Sequence, residues 1–389
     1  MKHCRSLFLI ASALVCSVSC QIKLADGREP VVFSVSGGGM AVSADTKSQL
    51  FDTETEDNFS FKVFGSWGIK NERAGQDDYW TWATVFNGQQ VTATKTENRT
   101  ALPENLPIYS CTYSPERHWQ KTGKYYFRAV MPYASVRTES NSSGMAILIP
   151  YSMTAEDYDL MVAASDERNV ETQGTAPVHL KFRHALAAVR FMFQKGSRAT
   201  DVDYRLMSFE LRNLVSLGTM TFGKTAEDPE LDADLSRKWT LYYNSRPQGL
   251  FPWSATVTNG VVTSDIAVPV AWTNFDGAGV GSAINGNGWH FVIPQDVEDY
   301  QNGNNPTVYF SSSIRTSNGS GGYNYTTPAF TEIELPTRYR DSNDELQVAT
   351  LEAGKLYTYI IQIQPGDVTI TVNTTDWDTY DVAVDPLEF

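Results

Sequence analysis

Between residues 178 and 193 the apolar residues keep a period of two, but the phase jumps. Val178, Leu180 and Phe182 share one face of an extended chain, and His179, Lys181 and Arg183 share the other. Beyond the middle the apolar residues are Val189, Phe191 and Phe193, which have the opposite parity. A continuous strand cannot absorb that slip, because one residue of offset turns every apolar side chain towards water. The sequence therefore predicts a strand, an irregular corner at His184-Ala185-Leu186-Ala187-Ala188 made by a bulge or short helical turn, and a second strand. Such a corner suits a seam between two β-domains.

The rest of the chain has the same rhythm. Short runs rich in aromatic and β-branched residues alternate with Gly, Ser, Thr and Asn, and no segment sustains a 3.6-residue apolar period. Phe59, Phe61 and Val63 alternate, Tyr125 to Tyr133 is a mostly apolar run with Pro132 near its end, and Gly144 to Pro150 is another. Leu206 to Phe222 reads as two strands. Near the end, Tyr357, Tyr359, Ile361 and Ile363 share a face, Pro365-Gly366-Asp367 turns the chain, and Val368, Ile370 and Val372 alternate with threonines before Trp377. Asn274–Gly288 and Ser317–Asn324 read as long surface loops. A chain of 389 residues accommodates two or three domains, at roughly 150 residues each.

The first 19 residues have the layout of an export signal, with Lys2, His3 and Arg5 ahead of an apolar core from Leu7 to Val15. The core is too short to span a bilayer. Ser17-Val18-Ser19-Cys20 places a small residue before a cysteine, as lipoprotein processing requires, so Cys20 is the expected lipidated N-terminus; ordinary secretion is the alternative. Cys4, Cys16 and Cys20 lie in or at the end of this leader, which leaves Cys111 unpaired and excludes a disulfide framework. The net charge is -14, or -16 without Lys2 and Arg5, which argues against nucleic acid and against charge-driven binding to an anionic membrane.

After a polar linker, Val31, Phe33 and Val35 alternate with polar residues, and Gly37-Gly38-Gly39 ends the run. The chain becomes strand-like again only at Phe59, so one strand is joined to the body by a long loop, a kind that is uncommon and often functional. These features, with Asp159-Leu160-Met161-Val162-Ala163, the Val178–Leu186 strand, and the ending Leu351-x-Ala353-Gly354-Lys355-x-Tyr357-x-Tyr359 followed by an apolar strand and Trp377, resemble the fimbrillin-like surface lipoproteins that form type V pili. The resemblance implies that the first strand is removed by a trypsin-like protease and that another subunit's strand fills the groove. The equivalent bond is Lys47-Ser48, with lysine where the family usually has arginine. Arg28 is a rival site, but cutting there leaves Val31, Phe33 and Val35 attached. The donor would be Val368, Ile370 and Val372 or the tail Tyr380–Phe389. A permanent edge strand at 31–36 and a plain closing hairpin at 368–372 are the simpler alternatives.

Signs of catalysis are few. Gly218-Thr219-Met220-Thr221-Phe222-Gly223-Lys224-Thr225 matches the P-loop pattern, yet its middle alternates like a strand, and the acidic residues and Pro229 that follow deny it the helix a phosphate loop needs. His118, His179, His184 and His290 are not two to four residues from one another, as metal ligands on one local element usually are. Trp67, Trp80 and Trp82 are either a sugar platform or core. The sequence thus predicts no enzyme, cofactor or metal site; carboxylate pairs for glycoside hydrolysis are too numerous to judge.

The expected architecture is all-β, with two consecutive β-sandwich domains of transthyretin or immunoglobulin type after a lipoprotein signal peptide. The parts are the signal at 1–19, a lipidated linker and removable first strand at 20–47, and sandwiches at 48–175 and 176–389. The expected function is a fimbrial subunit or pilus-associated adhesin assembled by donor-strand exchange. Its partners are other pilin subunits, the outer membrane through the lipid anchor, and a surface receptor or glycan, and its location is the cell surface and the fimbrium. The alternatives are a surface glycan-binding lipoprotein and a tip or anchor subunit that does not polymerise.

Overall fold

The computed structural model describes residues 29–37, 58–72, 79–98, 107–132, 136–141, 144–155, 158–196, 202–222, 235–247, 249–258, 261–264, 266–267, 282–283, 289–297, 305–336, 338–340 and 346–377. Residues 1–19, read from the sequence as an export signal, Cys20, Arg28, Lys47, Ser48, residues 274–281 of the expected loop and the tail Tyr380–Phe389 lie outside these residues. The chain is all-β, as expected. Its one α-helix among the described residues is a single turn at Val170–Gln173, capped by Asn169, whose side chain accepts the Glu171 N–H.

The first thirteen strands among the described residues are β1 (Phe33–Gly37), β2 (Asn58–Asn71), β3 (Tyr79–Asn98), β4 (Pro107–Tyr113), β5 (Lys124–Met131), β6 (Arg137–Asn141), β7 (Gly144–Ser152), β8 (Met161–Ala164), β9 (Arg168–Asn169), β10 (Val178–His184), β11 (Ala187–Lys195), β12 (Asp203–Arg212) and β13 (Leu217–Phe222). One sheet runs β1-β10-β8-β5-β2-β3-β4. It curls, so that the ends of this order meet: the Phe33 ring lies 5.8 Å from Tyr113, and the Tyr113 hydroxyl donates to the Val31 carbonyl at 2.7 Å. Its inner face buries Phe61, Val63, Phe127, Leu180 and Phe182.

A second core gathers Ile147, Ile149, Val189, Phe191, Phe209, Phe310 and Tyr359. Around it, β11 pairs in parallel with the Lys355–Gln364 strand, Phe191 opposite Tyr359. β12 pairs antiparallel with the Thr307–Ser317 strand. β7 pairs antiparallel with β13. The run Gly144–Ser152 thus serves the second core, and β10 belongs with the first, so strands on either side of residues 175 and 176 are shared across that point.

The parity jump lies between the two cores. β10 ends at His184, β11 starts at Ala187, and only Ala185 and Leu186 separate them, in a bend rather than a helical turn. Three of the four backbone groups of these two residues have partners: Ala185 N–H donates to the Leu160 carbonyl at 2.7 Å, Gly354 N–H to the Leu186 carbonyl at 2.9 Å, and Trp239 Nε1 to the Ala185 carbonyl at 2.9 Å. Residues 185 to 188 are fully buried, so only small or slim side chains fit where the strands change sheets.

The described part of the P-loop pattern is a strand: Thr219, Met220, Thr221 and Phe222 lie within β13 and pair with Pro150 to Ile147, so these four form no backbone nest for phosphate, and Gly223, Lys224 and Thr225 lie outside the described residues. The loop expected at 317–324 is shorter than the sequence suggests: Tyr323–Tyr325 is a strand paired to Arg315–Ser317, and only Asn318–Gly322 turns.

Candidate functional site: the first strand and its groove

β1 is an edge strand. Among the described residues it pairs with β10 alone, in parallel, with Phe33 opposite Val178, Val35 opposite Leu180 and Gly37 opposite Phe182. The alternation read from sequence holds: Val31, Phe33 and Val35 are 1%, 2% and 9% exposed, and Val32 is 42% exposed. Full burial of three such side chains contributes roughly 5–8 kcal/mol as an upper bound. That is comparable to the whole stability of an ordinary domain. The strand therefore stays in place while it is covalently attached, and its loss would leave a costly apolar groove.

The groove is aromatic. Phe33 meets Phe86 at 5.5 Å and Phe127 at 5.6 Å, both near edge-on, which is the favoured geometry for such pairs. One end of the strand is gripped on both flanks. Val31 N–H donates to the Arg117 carbonyl at 2.9 Å and Trp119 N–H to the Glu29 carbonyl at 3.0 Å, while Val178 N–H donates to the Val32 carbonyl at 2.8 Å. Tyr113, whose hydroxyl reaches Val31, has its ionisation pushed up by burial, so it stays a neutral donor. From Phe33 onward the backbone of the strand pairs, among the described residues, with β10 alone, and Ser34 Oγ is 3.1 Å from His179 Nδ1 on the outer face. The 117–119 grip escaped the sequence reading. Trp119, fully buried, is its only local signal.

Gly37 and Asn58, the ends of β1 and β2, are joined by residues 38–57, which contain the Lys47-Ser48 bond. Val368, Ile370 and Val372 lie in the Asp367–Asp376 strand, which pairs antiparallel with Lys355–Gln364 along its whole length and packs on the second core. Trp377 follows directly and is fully buried; its ring stacks on His184, centroids 3.8 Å apart and planes at 13°. His184 Nδ1 in turn lies 2.8 Å from Asp159 Oδ2. His184 is thus a hydrogen-bonded structural histidine.

Trp67, Trp80 and Trp82 divide. Trp67 packs against the first core and donates from Nε1 to the Thr122 carbonyl. Trp80 and Trp82 are half-buried and stacked at 6.1 Å, with Lys124 Nζ 4.7 Å above Trp80. Among the described residues there is no group of three metal-ligating side chains, and no helix is long and apolar enough to cross a membrane. The Cys111 thiol is pushed up to about 12 by burial and so is protonated at neutral pH, which makes it a poor nucleophile.

A family model described as fimbrillin-like matches residues 51–377, and the chain belongs to that family. Membership supports a fimbrial subunit at the cell surface. No curated protein matches the chain. Among solved structures, it is similar to a fimbrial protein from Bacteroides vulgatus ATCC 8482, with 15% identity, 82% of this chain and 92% of that one covered, and a TM-score of 0.49. It is also similar to a protein ascribed to cell adhesion from Bacteroides uniformis ATCC 8492, with 14% identity, 90% and 99% coverage and a TM-score of 0.41. A third is the tip fimbrial protein Mfa3 from Porphyromonas gingivalis with C-terminal truncation, with 10% identity, 82% and 98% coverage and a TM-score of 0.30. Family membership rests on the family model alone.

Proposed function

We propose that this chain is a fimbrial subunit that polymerises by strand exchange after proteolysis. It is exported, lipidated at Cys20 and held at the outer membrane. Cleavage of Lys47-Ser48 frees β1, and a strand from a neighbouring subunit takes its place. An exposed sheet edge and an apolar groove favour such a strand, which pairs through its backbone and drops alternate side chains inward. Burial in the polymer drives assembly without ATP. The observation that carries this reading is the placement of β1: an edge strand, paired on one flank from Phe33 onward, with Val31, Phe33 and Val35 filling an aromatic groove. The family match begins at residue 51, after both β1 and the proposed cut, which is consistent with a mature subunit lacking them. The donor is either Val368, Ile370 and Val372 or the tail Tyr380–Phe389. The first would have to give up its existing pairing with the Lys355–Gln364 strand.

The experiment is limited trypsin treatment of purified precursor. The expected result is a new N-terminus at Ser48 by mass spectrometry, with SDS-resistant ladders appearing as that cut accumulates. Quantitative cleavage at Lys47 with the product remaining monomeric would overturn strand exchange.

The partly exposed Trp80–Trp82 pair favours a second reading, a surface glycan-binding lipoprotein. A glycan-affinity gel shift that disappears on Trp80→Ala and Trp82→Ala would support it, and a shift unchanged by both would remove it. A tip or anchor subunit that never exchanges its own strand fits the same fold and would give no ladders.

A further inference from the structure

The first strand is held unequally along its length, and the firmer hold lies at the end away from the Lys47-Ser48 bond. At residues 29–31 the backbone is engaged by the segment that follows β4. The Glu29 carbonyl accepts from Trp119 N–H at 3.0 Å, Val31 N–H donates to the Arg117 carbonyl at 2.9 Å, and Pro30 lies opposite His118 in an antiparallel bridge. The Val31 carbonyl accepts from the Tyr113 hydroxyl at 2.7 Å. One residue on, the Val32 carbonyl takes Val178 N–H, so the chain is gripped first on one flank and then on the other. From Phe33 to Gly37 the pairing among the described residues is with β10 alone.

The gripping segment is anchored without help from β1. Tyr113 is the last residue of β4, and its hydroxyl accepts from Arg117 N–H at 3.4 Å while it donates to Val31. Gln89 of β3 donates from Nε2 to the Ser114 carbonyl. Trp119 is fully buried and lies edge-on to two rings of β5, Tyr125 at 4.9 Å and Phe127 at 5.8 Å. Gln120 N–H donates to the Tyr125 hydroxyl at 2.8 Å. Three neighbouring strands thus hold residues 113–120 in position.

This asymmetry has a direction. Lys47 is the only lysine or arginine between residues 38 and 57, so a trypsin-like cut there frees the chain beyond Gly37 and leaves residues 29–31 in their grip. Free ends open first. Each hydrogen bond of the grip lowers the chance of opening by roughly threefold to tenfold.

We propose that residues 113–119 are a clamp that retains β1 by its residues 29–31 after the cut, so that exchange runs from the Gly37 end towards Val31 and Tyr113 controls the last step of release. The clamp rests on strand exchange as the function. The incoming strand takes the place of Val35 first, Phe33 next and Val31 last, and the apolar groove stays covered throughout.

The test uses the full-length precursor. Variants Val31→Cys and Val35→Cys report opening at the two ends through thiol alkylation, with peptide mass mapping to assign each label. Rates are measured before and after limited trypsin treatment. Cutting should speed Val35→Cys labelling roughly tenfold more than Val31→Cys labelling. Tyr113→Phe keeps the ring and removes the hydroxyl; it should speed Val31→Cys labelling severalfold and leave Val35→Cys unchanged. A fluorescent peptide of residues 29–37 should displace the cut strand severalfold faster from Tyr113→Phe than from the parent. Should Tyr113→Phe misfold, the two labelling rates in the parent background decide. Equal acceleration at both ends, opening at Val31 first, or no effect of a folded Tyr113→Phe on Val31→Cys labelling or on displacement would each overturn the clamp. If the peptide displaced nothing from the parent, strand exchange itself would fall, and the labelling rates would still decide whether the clamp exists.

Discussion

Phe33 of β1 lies edge-on to Phe127 of β5, ring centres 5.6 Å apart and planes at 80°, although β10 and β8 separate the two strands in the sheet. The ring therefore reaches across the curled sheet into the centre of the first core. Phe33→Ala should cost about 3–5 kcal/mol. Urea denaturation of the precursor checks this, and faster proteolysis of residues 29–37 should accompany it. Val32→Ala, at an exposed position of the same stretch, should change neither.

The seam offers a second test. Trp377, directly after the Asp367–Asp376 strand, stacks its ring on His184, the last residue of β10, and its backbone N–H donates to the Gly354 carbonyl at 2.8 Å. One ring thus ties the end of the second core's sheet to the end of a first-core strand. Trp377→Ala should cost about 3–5 kcal/mol and Trp377→Phe less. The near-UV circular dichroism signal should fall in the first variant. If Trp377→Ala melted at the parent temperature, the stack would not hold the seam.

How much of this was legible in the chain follows from what alternation can say. Period-two patterning reports which side chains face inward, so Val31, Phe33 and Val35, the 178–193 parity jump, and Tyr357 to Ile363 could all be read directly. It does not report which sheet a strand joins, because pairing partners lie far away in sequence. Nothing local in Gly144–Ser152 says that it will pair with Leu217–Phe222. The same holds for Glu29 and Trp119, far apart in sequence and joined by a backbone hydrogen bond. The 317–324 stretch misled for another reason: Gly and Ser mark a turn well, but two tyrosines around one asparagine are too short a run to announce a strand.

Gly68 predicts an effect on the tryptophan pair. A Cβ built there would meet the Trp82 ring at 2.6 to 2.9 Å, so glycine is what lets that indole lie flat against β2. Gly68→Ala should push Trp82 outward, break its 6.1 Å stack on Trp80, and cost about 1–3 kcal/mol. A red-shifted, quenched tryptophan emission with the fold retained is the expected reading. An unchanged spectrum would mean that the ring has other room.

His290 sets an acid limit on stability. It is 7% exposed, stacked against Phe251 at 4.2 Å, and burial lowers its pKa to about 4. The unfolded chain has an ordinary histidine pKa near 6.5. Between those values the unfolded state binds the proton and the folded state does not, so stability rises with pH across this window and falls as pH is lowered through it. The loss should build from about pH 6.5 and level off below about pH 4, totalling on the order of 3 kcal/mol. Urea midpoints measured at pH 7.5, 5.5 and 4.5 follow the trend. The variant His290→Phe removes the titrating group, and its stability should fall less over the same range. A parallel decline in both proteins would assign the acid sensitivity to carboxylates elsewhere.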